Sequence, residues 1–149
     1  MVMDYVIREI NADDFEGLSQ LYTHLHSNKP IEKNNKNLSL FNEILADKNH
    51  HIIVAEADGK IVSSCVCVVV PNLTHNQQPY ALIENVVTDK NYRKNGFASA
   101  CLSYAKQIAL DNHCYKIMLL TGSKKRSTHK FYRKNGYNSF EKTGYIQRL

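Results

Sequence analysis

The order of apolar and polar runs along these 149 residues predicts a mixed α/β fold. Three observations carry that expectation. Runs of strand character alternate with runs whose apolar residues recur at helical spacing. Asp58-Gly59, between two apolar runs, is a strong two-residue hairpin signal. A strand-like run over residues 81–87 then passes through a short basic turn containing Gly96 into a long helical run from Phe97 to about Asp111.

Residues 5–10 read as the first strand. Residues 11–14 supply helix-capping side chains, and Phe15, Leu18, Leu21, Tyr22 and Leu25 then trace one helix face. A polar break over 27–30 and a charged, asparagine-rich stretch over 32–37 precede a short helix marked by Leu38, Phe41, Ile44 and Leu45. Residues 50–57 and 60–70 are the two arms of the hairpin, the second ended by Pro71, and residues 72–78 form a polar loop. After the central strand and helix come a strand at 115–120, a helix containing Phe131 and Tyr132, and two short strands at 137–140 and 145–148. No repeat, low-complexity tract or linker interrupts the chain, so 1–149 reads as a single domain.

Composition excludes several classes. Hydrophobic residues at 43% and charged residues at 22% are ordinary for a globular protein. No apolar run approaches the roughly 20 residues that span a bilayer, and no basic region precedes an apolar one at the N-terminus, so we expect no membrane partner and a cytoplasmic location. The net charge of +5 comes largely from residues 90–142, but the basic residues are scattered and no aromatic-interleaved nucleic-acid module is present; a polyanionic cofactor explains the charge better than nucleic acid does. Cys65 and Cys67 share one face of a strand and Cys101 falls on the apolar side of a helix, as expected of buried, reduced thiols. No Cys/His spacing suggests a metal site.

The turn after the central strand, Tyr92-Arg93-Lys94-Asn95-Gly96-Phe97-Ala98-Ser99, has the makings of an anion site. The first N–H groups of a helix lack intrahelical partners and the helix dipole favours negative charge there. Gly96 allows close backbone approach, and Arg93 and Lys94 add positive charge. The spacing is neither the Walker pattern nor the three-glycine dinucleotide fingerprint. Arg93-x-x-Gly96-x-Ala98 after an apolar strand does resemble the coenzyme A signature of the GNAT superfamily of acetyl-CoA-dependent N-acyltransferases. Phe131-Tyr132-Arg133-Lys134-Asn135-Gly136-Tyr137 resembles the family's second block, with a helix and a strand between the two, as that family requires.

The resemblance implies a mostly antiparallel mixed sheet of six to seven strands flanked by about four helices. In that fold the strands at 81–87 and 115–120 splay apart to admit the pantetheine arm of acetyl-CoA, which pairs with a bulged strand end. It implies that the diphosphate rests on the N–H groups of Arg93, Lys94, Asn95, Gly96, Phe97 and Ala98. Ser99 either adds a hydroxyl or caps the helix. An oxyanion donor would come from Asn85, Val86 or Val87. Tyr132 would protonate the departing thiolate. For the base the candidate is Glu84, the sole charged residue of its run, set among apolar neighbours that raise a carboxyl pKa; the alternative is a structural carboxylate. Strand alternation groups Glu84 with Leu82 and Val86, and Ile83 with Asn85 and Val87.

Two departures stand out. Relatives often carry an asparagine seven residues before the tyrosine, where this chain has Lys125, and the usual proline after the strand is absent from Thr88-Asp89-Lys90-Asn91. Lys124, Lys125 and Arg126 read as a solvated helix start or as neighbours of the cofactor's 3′-phosphate. His24 and His26 lie near the loop that varies with substrate, with surface positions the simpler reading, and His129 one helical turn before Tyr132 has no assigned role. The expected activity is direct acetyl transfer from acetyl-CoA to a primary amine, most plainly of a small molecule, with amino sugars among the candidates. The rivals are a protein or peptide acetyltransferase and a non-catalytic acyl-CoA-binding module. A homodimer is an expectation from resemblance alone.

Overall fold

A computed structural model describes residues 3–25 and 28–149. The elements run β1 (Tyr5–Glu9), α1 (Phe15–Tyr22), α2 (Asn35–Ala46), β2 (His50–Ala57), β3 (Lys60–Val70), β4 (Tyr80–Thr88), α3 (Phe97–Asp111), β5 (Ile117–Leu119) and α4 (Arg126–Lys134). The strands form one sheet in the order β1-β2-β3-β4-β5, antiparallel except for the parallel β4–β5 pair.

Strand alternation divides the core between the two sheet faces. On one face Ile53, Val62, Cys65, Cys67 and Ile83 meet Phe97, Cys101, Leu102, Ala105 and Ala109 of α3, with Phe131, Tyr132 and Tyr137 at the margin. On the other, Ile52, Val54, Val66 and Val87 meet Phe15, Leu18 and Leu21 of α1 and Phe41 of α2. The four cysteines are free; Cys65, Cys67 and Cys101 are buried as expected, and burial holds Cys67 and Cys101 protonated with values pushed up to about 12.

Charge fixes where α1 begins. Asn11 accepts the Asp13 N–H at 2.9 Å and Asp14 accepts the Asn11 N–H at 2.7 Å, a reciprocal cap on the 3₁₀ turn Ala12–Asp14. The same buried Asp14 takes both terminal nitrogens of Arg8, at 2.6 and 2.9 Å, and Arg8 also reaches Glu56 of β2 at 2.8 Å. One guanidinium thus joins β1, β2 and the entrance to α1.

Three expectations need correction. The sheet has five strands, because residues 138–149 form none: each is exposed, and Phe140, Tyr145 and Ile146 have nothing to pack against. Strand propensity without a paired neighbour and a buried face does not hold a strand. The strand expected at 115–120 contracts to Ile117–Leu119, the part that finds a partner in β4. Residues 74–77, expected as polar loop, make a left-handed turn with φ of +54°, +57° and +60° at His75, Asn76 and Gln77, where the His75 ring stacks on Tyr115 at 3.9 Å.

The Arg8 hydrogen bonds hold the Asp14 carboxyl below its ordinary value, against the opposing effect of burial. A depressed carboxylate stabilises the fold above the unfolded value near pH 3.9 and loses that contribution as pH falls through the folded value. Asp14→Asn is therefore expected to cost about 2 kcal/mol in urea unfolding at pH 7. Its deficit relative to the unmodified chain should shrink below about pH 4; an equal deficit across the acid range would contradict the assignment.

Candidate active site

The site grows from an interruption in β4. Ser64 of β3 stands opposite Val87 and Val66 opposite Glu84, so β4 carries one residue more than β3 over the same span. The extra residue is absorbed at Asn85, whose φ is +50°. That conformation is uncommon outside glycine, and asparagine is among the residues that tolerate it best. Beyond the bulge the faces exchange: Val86 packs with the α3 layer and Val87 with the α1–α2 layer, the reverse of simple alternation. The expected grouping of Glu84 with Val86 is thereby overturned.

The bulge also marks where β4 and β5 part. Their parallel ladder runs from Ala81–Ile117 to Ile83–Leu119 and stops, while β4 continues to Thr88. From Glu84 onward the β5-facing edge of β4 is open, leaving strand N–H and C=O groups for a guest with an extended, amide-bearing backbone. On β4's other side the pairing is reinforced, since the Ser63 hydroxyl donates to Val87 O at 3.0 Å and lies 2.8 Å from the Thr88 hydroxyl.

Glu84 and Tyr132 belong to opposite faces of the sheet. Glu84 faces Val66 across the ladder, which puts it on the α1–α2 side, and it is exposed instead of being set among apolar neighbours. The apolar residues beside it in sequence point elsewhere, so sequence adjacency was no guide to its surroundings. Tyr132 is half-buried at the margin of the α3 layer, its ring edge-on to Phe131 at 5.1 Å and to Tyr137 at 6.1 Å. Burial raises its phenol above the ordinary tyrosine value, so it holds its proton at neutral pH.

The turn after β4 is built to expose amides. Asn95 Nδ2 donates to Tyr92 O and Arg93 O at 3.0 and 3.2 Å, Lys94 and Gly96 take φ of +64° and +83°, and Gly96 caps α3 with no side chain over the helix mouth. The first helical bond runs from Ala100 N–H to Gly96 O at 3.0 Å. The N–H groups of Phe97, Ala98 and Ser99 stand ahead of it, facing outward with the helix dipole behind them. Arg93 is exposed and its Nε donates to Thr88 O at 3.2 Å, which ties the cation to the end of β4. The Phe97 side chain is a core group, 2% exposed and edge-on to Tyr5, so only its amide is available to a ligand. Ser99 accepts from Asn135 Nδ2 at 3.1 Å, a hydroxyl spent on joining α4 to the first turn of α3.

Some contributors escaped sequence reading. Asp89, read only as part of a turn, is buried: its Oδ1 accepts the Asn91 N–H at 2.9 Å and its Oδ2 accepts Lys60 Nζ at 2.6 Å. Burial pushes its carboxyl up, but Lys60 and the Asn91 amide prevail and leave it below the usual range. The signal was an aspartate two residues before an amide it could cap. Tyr22 brings its hydroxyl to the side chains of Asn85 and Ser64, and burial pushes its phenol up to about 12; helical spacing announced only a core aromatic. His24 is mostly covered, 3.7 Å from Asp89, instead of lying at the surface. His129 Nε2 meets Ser123 O at 2.8 Å and so braces the start of α4. Lys124, Lys125 and Arg126 are exposed. His26 lies outside the described residues. Among the described residues no cluster of His, Cys, Asp and Glu is arranged to hold a metal, and no helix is long and apolar enough to cross a membrane.

The profile of the Acetyltransferase (GNAT) family matches residues 18–137, four-fifths of the chain. The chain is 35% identical to a putative acetyltransferase from Agrobacterium tumefaciens str. C58, whose structure superposes with a TM-score of 0.89 over 97% of this chain and 99% of that one. It is 25% identical over 147 residues to a glucosamine 6-phosphate N-acetyltransferase of Trypanosoma brucei brucei, covering 95% of this chain and 94% of the relative. The crystal structure of glucosamine-6-phosphate N-acetyltransferase from Arabidopsis thaliana, at 21% identity, shares the fold with a TM-score of 0.85 over 98% of each chain. An open-edged β4 leading through an amide-exposing turn into α3, together with these matches, defines an acyl-transfer enzyme. The chain belongs to the GNAT family of acetyltransferases.

A Cβ at Gly96 would meet nothing within 4 Å, so the cost of Gly96→Ala is the left-handed backbone alone. It should lower stability by about 1–2 kcal/mol. It should also weaken coenzyme A in titration calorimetry, because the turn must relax away from the geometry that exposes its amides. Unaltered affinity would show that coenzyme A does not use this turn.

Proposed function

We propose that this chain transfers the acetyl group of acetyl-CoA directly to the primary amine of a small molecule, an amino sugar being the leading candidate. The observation that supports it most is the end of the β4–β5 ladder at Ile83–Leu119, just before Glu84, with Glu84 on one face of the sheet and Tyr132 packed on the other. The diphosphate of the donor rests on the amides of Gly96, Phe97 and Ala98 with Arg93, Lys94 and Asn95 around them. Its extended arm pairs with the open edge of β4.

An alkylammonium near pKa 10 must lose a proton before it attacks. Glu84, on the acceptor side, takes that proton directly or through a water. The amine nitrogen bonds to the thioester carbon, and the carbonyl oxygen gathers charge against a strand amide of Asn85, Val86 or Val87. As the carbon–sulfur bond breaks, Tyr132 delivers its proton to the sulfur on the opposite face. The excess proton left on the nitrogen by attack is released as the amide forms, and the phenol regains a proton before the next turnover. Because Glu84 is exposed, it serves as a relay to solvent, which suits an acceptor that arrives protonated. The buried Cys65, Cys67 and Cys101 are protonated and covered, which argues against an acyl-cysteine intermediate. The similarity to glucosamine 6-phosphate N-acetyltransferases favours a small acceptor over a peptide. A homodimer remains part of this reading and is tested by sedimentation.

Tyr132→Phe is expected to lower kcat about 10²-fold or more while leaving the KM for acetyl-CoA nearly unchanged, as loss of a general acid does. Thiol release across an amine panel measures it. Full activity in the phenylalanine variant would remove Tyr132 from the mechanism. Coenzyme A binding with no turnover of any amine would favour a non-catalytic acyl-CoA-binding module.

A further inference from the structure

Lys60 opens β3 beside the Asp58-Gly59 turn, 29 residues before Asp89 in the chain. Its ammonium reaches across to the turn after β4. Nζ donates to Asp89 Oδ2 at 2.6 Å and stands 5.4 Å from the centre of the Tyr92 ring. The two members of this ion pair differ in exposure, the Lys60 side chain being 48% exposed and that of Asp89 only 4%. A pair of exposed side chains contributes little, but a buried carboxylate depends on its partner.

Asp89 is fastened on every side. Its N–H donates to Val62 O at 2.9 Å, and its carbonyl accepts the Tyr92 N–H at 2.8 Å. Its carboxylate also accepts the Asn91 N–H at 2.9 Å, and His24 Nε2, just past α1, lies 3.7 Å away. Two routes therefore run from Lys60 to the mouth of α3. One passes through Asp89 into the backbone of Asn91 and Tyr92. The other passes through the Tyr92 ring, whose centre is 6.4 Å from that of Phe97, the first residue of α3. Residues 88–96 contain no proline to stiffen them, so the path of this turn is held by side-chain contacts.

We propose that Lys60 is a positioning residue for acetyl-CoA. Without its ammonium the Asp89 carboxylate loses the cation bonded to it and turns toward solvent. The turn then moves away from the geometry that exposes the Phe97, Ala98 and Ser99 amides. The proposal rests on the reading that this turn holds the donor's diphosphate, and it adds that donor affinity is set from the β2–β3 hairpin. Its rivals are a direct contact of Lys60 with the donor's phosphates and a purely structural ion pair.

The test measures coenzyme A affinity by titration calorimetry, with acetyl-CoA kinetics alongside. The variants are Lys60→Met, Lys60→Arg, Asp89→Asn and the double variant of Lys60→Met with Asp89→Asn. Lys60→Met keeps the alkyl chain over Tyr92 and removes only the charge. It should weaken coenzyme A, and raise the KM for acetyl-CoA, by about tenfold, the size expected for one charge-assisted hydrogen bond. The kcat and the KM for the amine should be nearly unchanged, and Lys60→Arg should restore affinity. Asp89→Asn should match Lys60→Met, and the double variant should be no worse than either, because both remove one linkage. Additive losses, or an Asp89→Asn variant that binds as tightly as the unmodified chain while Lys60→Met does not, would place Lys60 on the donor itself and overturn the proposal. A lowered melting temperature with coenzyme A affinity intact would overturn it too, as a purely structural pair. If Asp89→Asn does not fold, the loss in Lys60→Met and its rescue by arginine decide. Gly96→Ala separates the two readings. If it weakens coenzyme A and Lys60→Met does not, the role of Lys60 fails alone; if neither weakens it, the donor turn is misassigned and Lys60 with it.

Discussion

The bulge at Asn85 is the constraint on which the rest of the site depends. A regular β4 would keep its ladder in step with β3, send Val86 to the α1–α2 layer, and offer no reason for its edge to part from β5. With one residue added, Val86 and Val87 exchange layers and both remain in the core. Each burial rewards the kinked geometry, so the left-handed backbone at Asn85 is held by packing on both sides of the sheet. The Ser63 hydroxyl satisfies the Val87 carbonyl beside the bulge, and the Tyr22 hydroxyl lies near Asn85.

This one irregularity places the chain downstream of it. β4 ends at Thr88 with its carbonyl facing the Arg93 guanidinium, and buried Asp89 locks the 3₁₀ turn Lys90–Tyr92 by capping Asn91 and drawing in Lys60 from the hairpin. The chain reaches Gly96 in a conformation that leaves three amides ahead of α3. The Asn135–Ser99 bond then fixes α4, and with it Tyr132, against the same helix turn. The amides at the mouth of α3, the strand edge and the Tyr132 phenol are therefore parts of one braced assembly, connected through short polar contacts that each join two elements.

Much of this was legible in the residues. The hairpin arms at 50–57 and 60–70, the strand over 81–87 and the helix from Phe97 to Asp111 were set by local pattern and by turn chemistry at Asp58-Gly59, and they stand. The amide-rich turn was readable because glycine and asparagine at its positions have few other uses. The inferences that failed depended on partners far away in sequence. The segment 138–149 has strand-like composition but no neighbouring strand, and Glu84 has apolar neighbours in sequence but solvent in space. Period-2 reasoning broke at Asn85, because a bulge is decided by register against β3 and leaves little mark on β4 itself. Tyr22 and Asp89 were hidden for the same reason: one reads as a core aromatic and the other as a turn residue until the fold brings α1, β3 and β4 together.

The most direct test is to follow backbone amide resonances while coenzyme A is titrated into the isotopically labelled chain. Large, saturable shifts confined to Gly96, Phe97, Ala98 and the β4 stretch from Asn85 to Val87 are expected, with added hydrogen-exchange protection at the same amides. Saturable shifts that leave those amides untouched, or no shifts at all in a folded sample, would contradict the claim that this helix mouth and this open strand edge hold the acetyl donor.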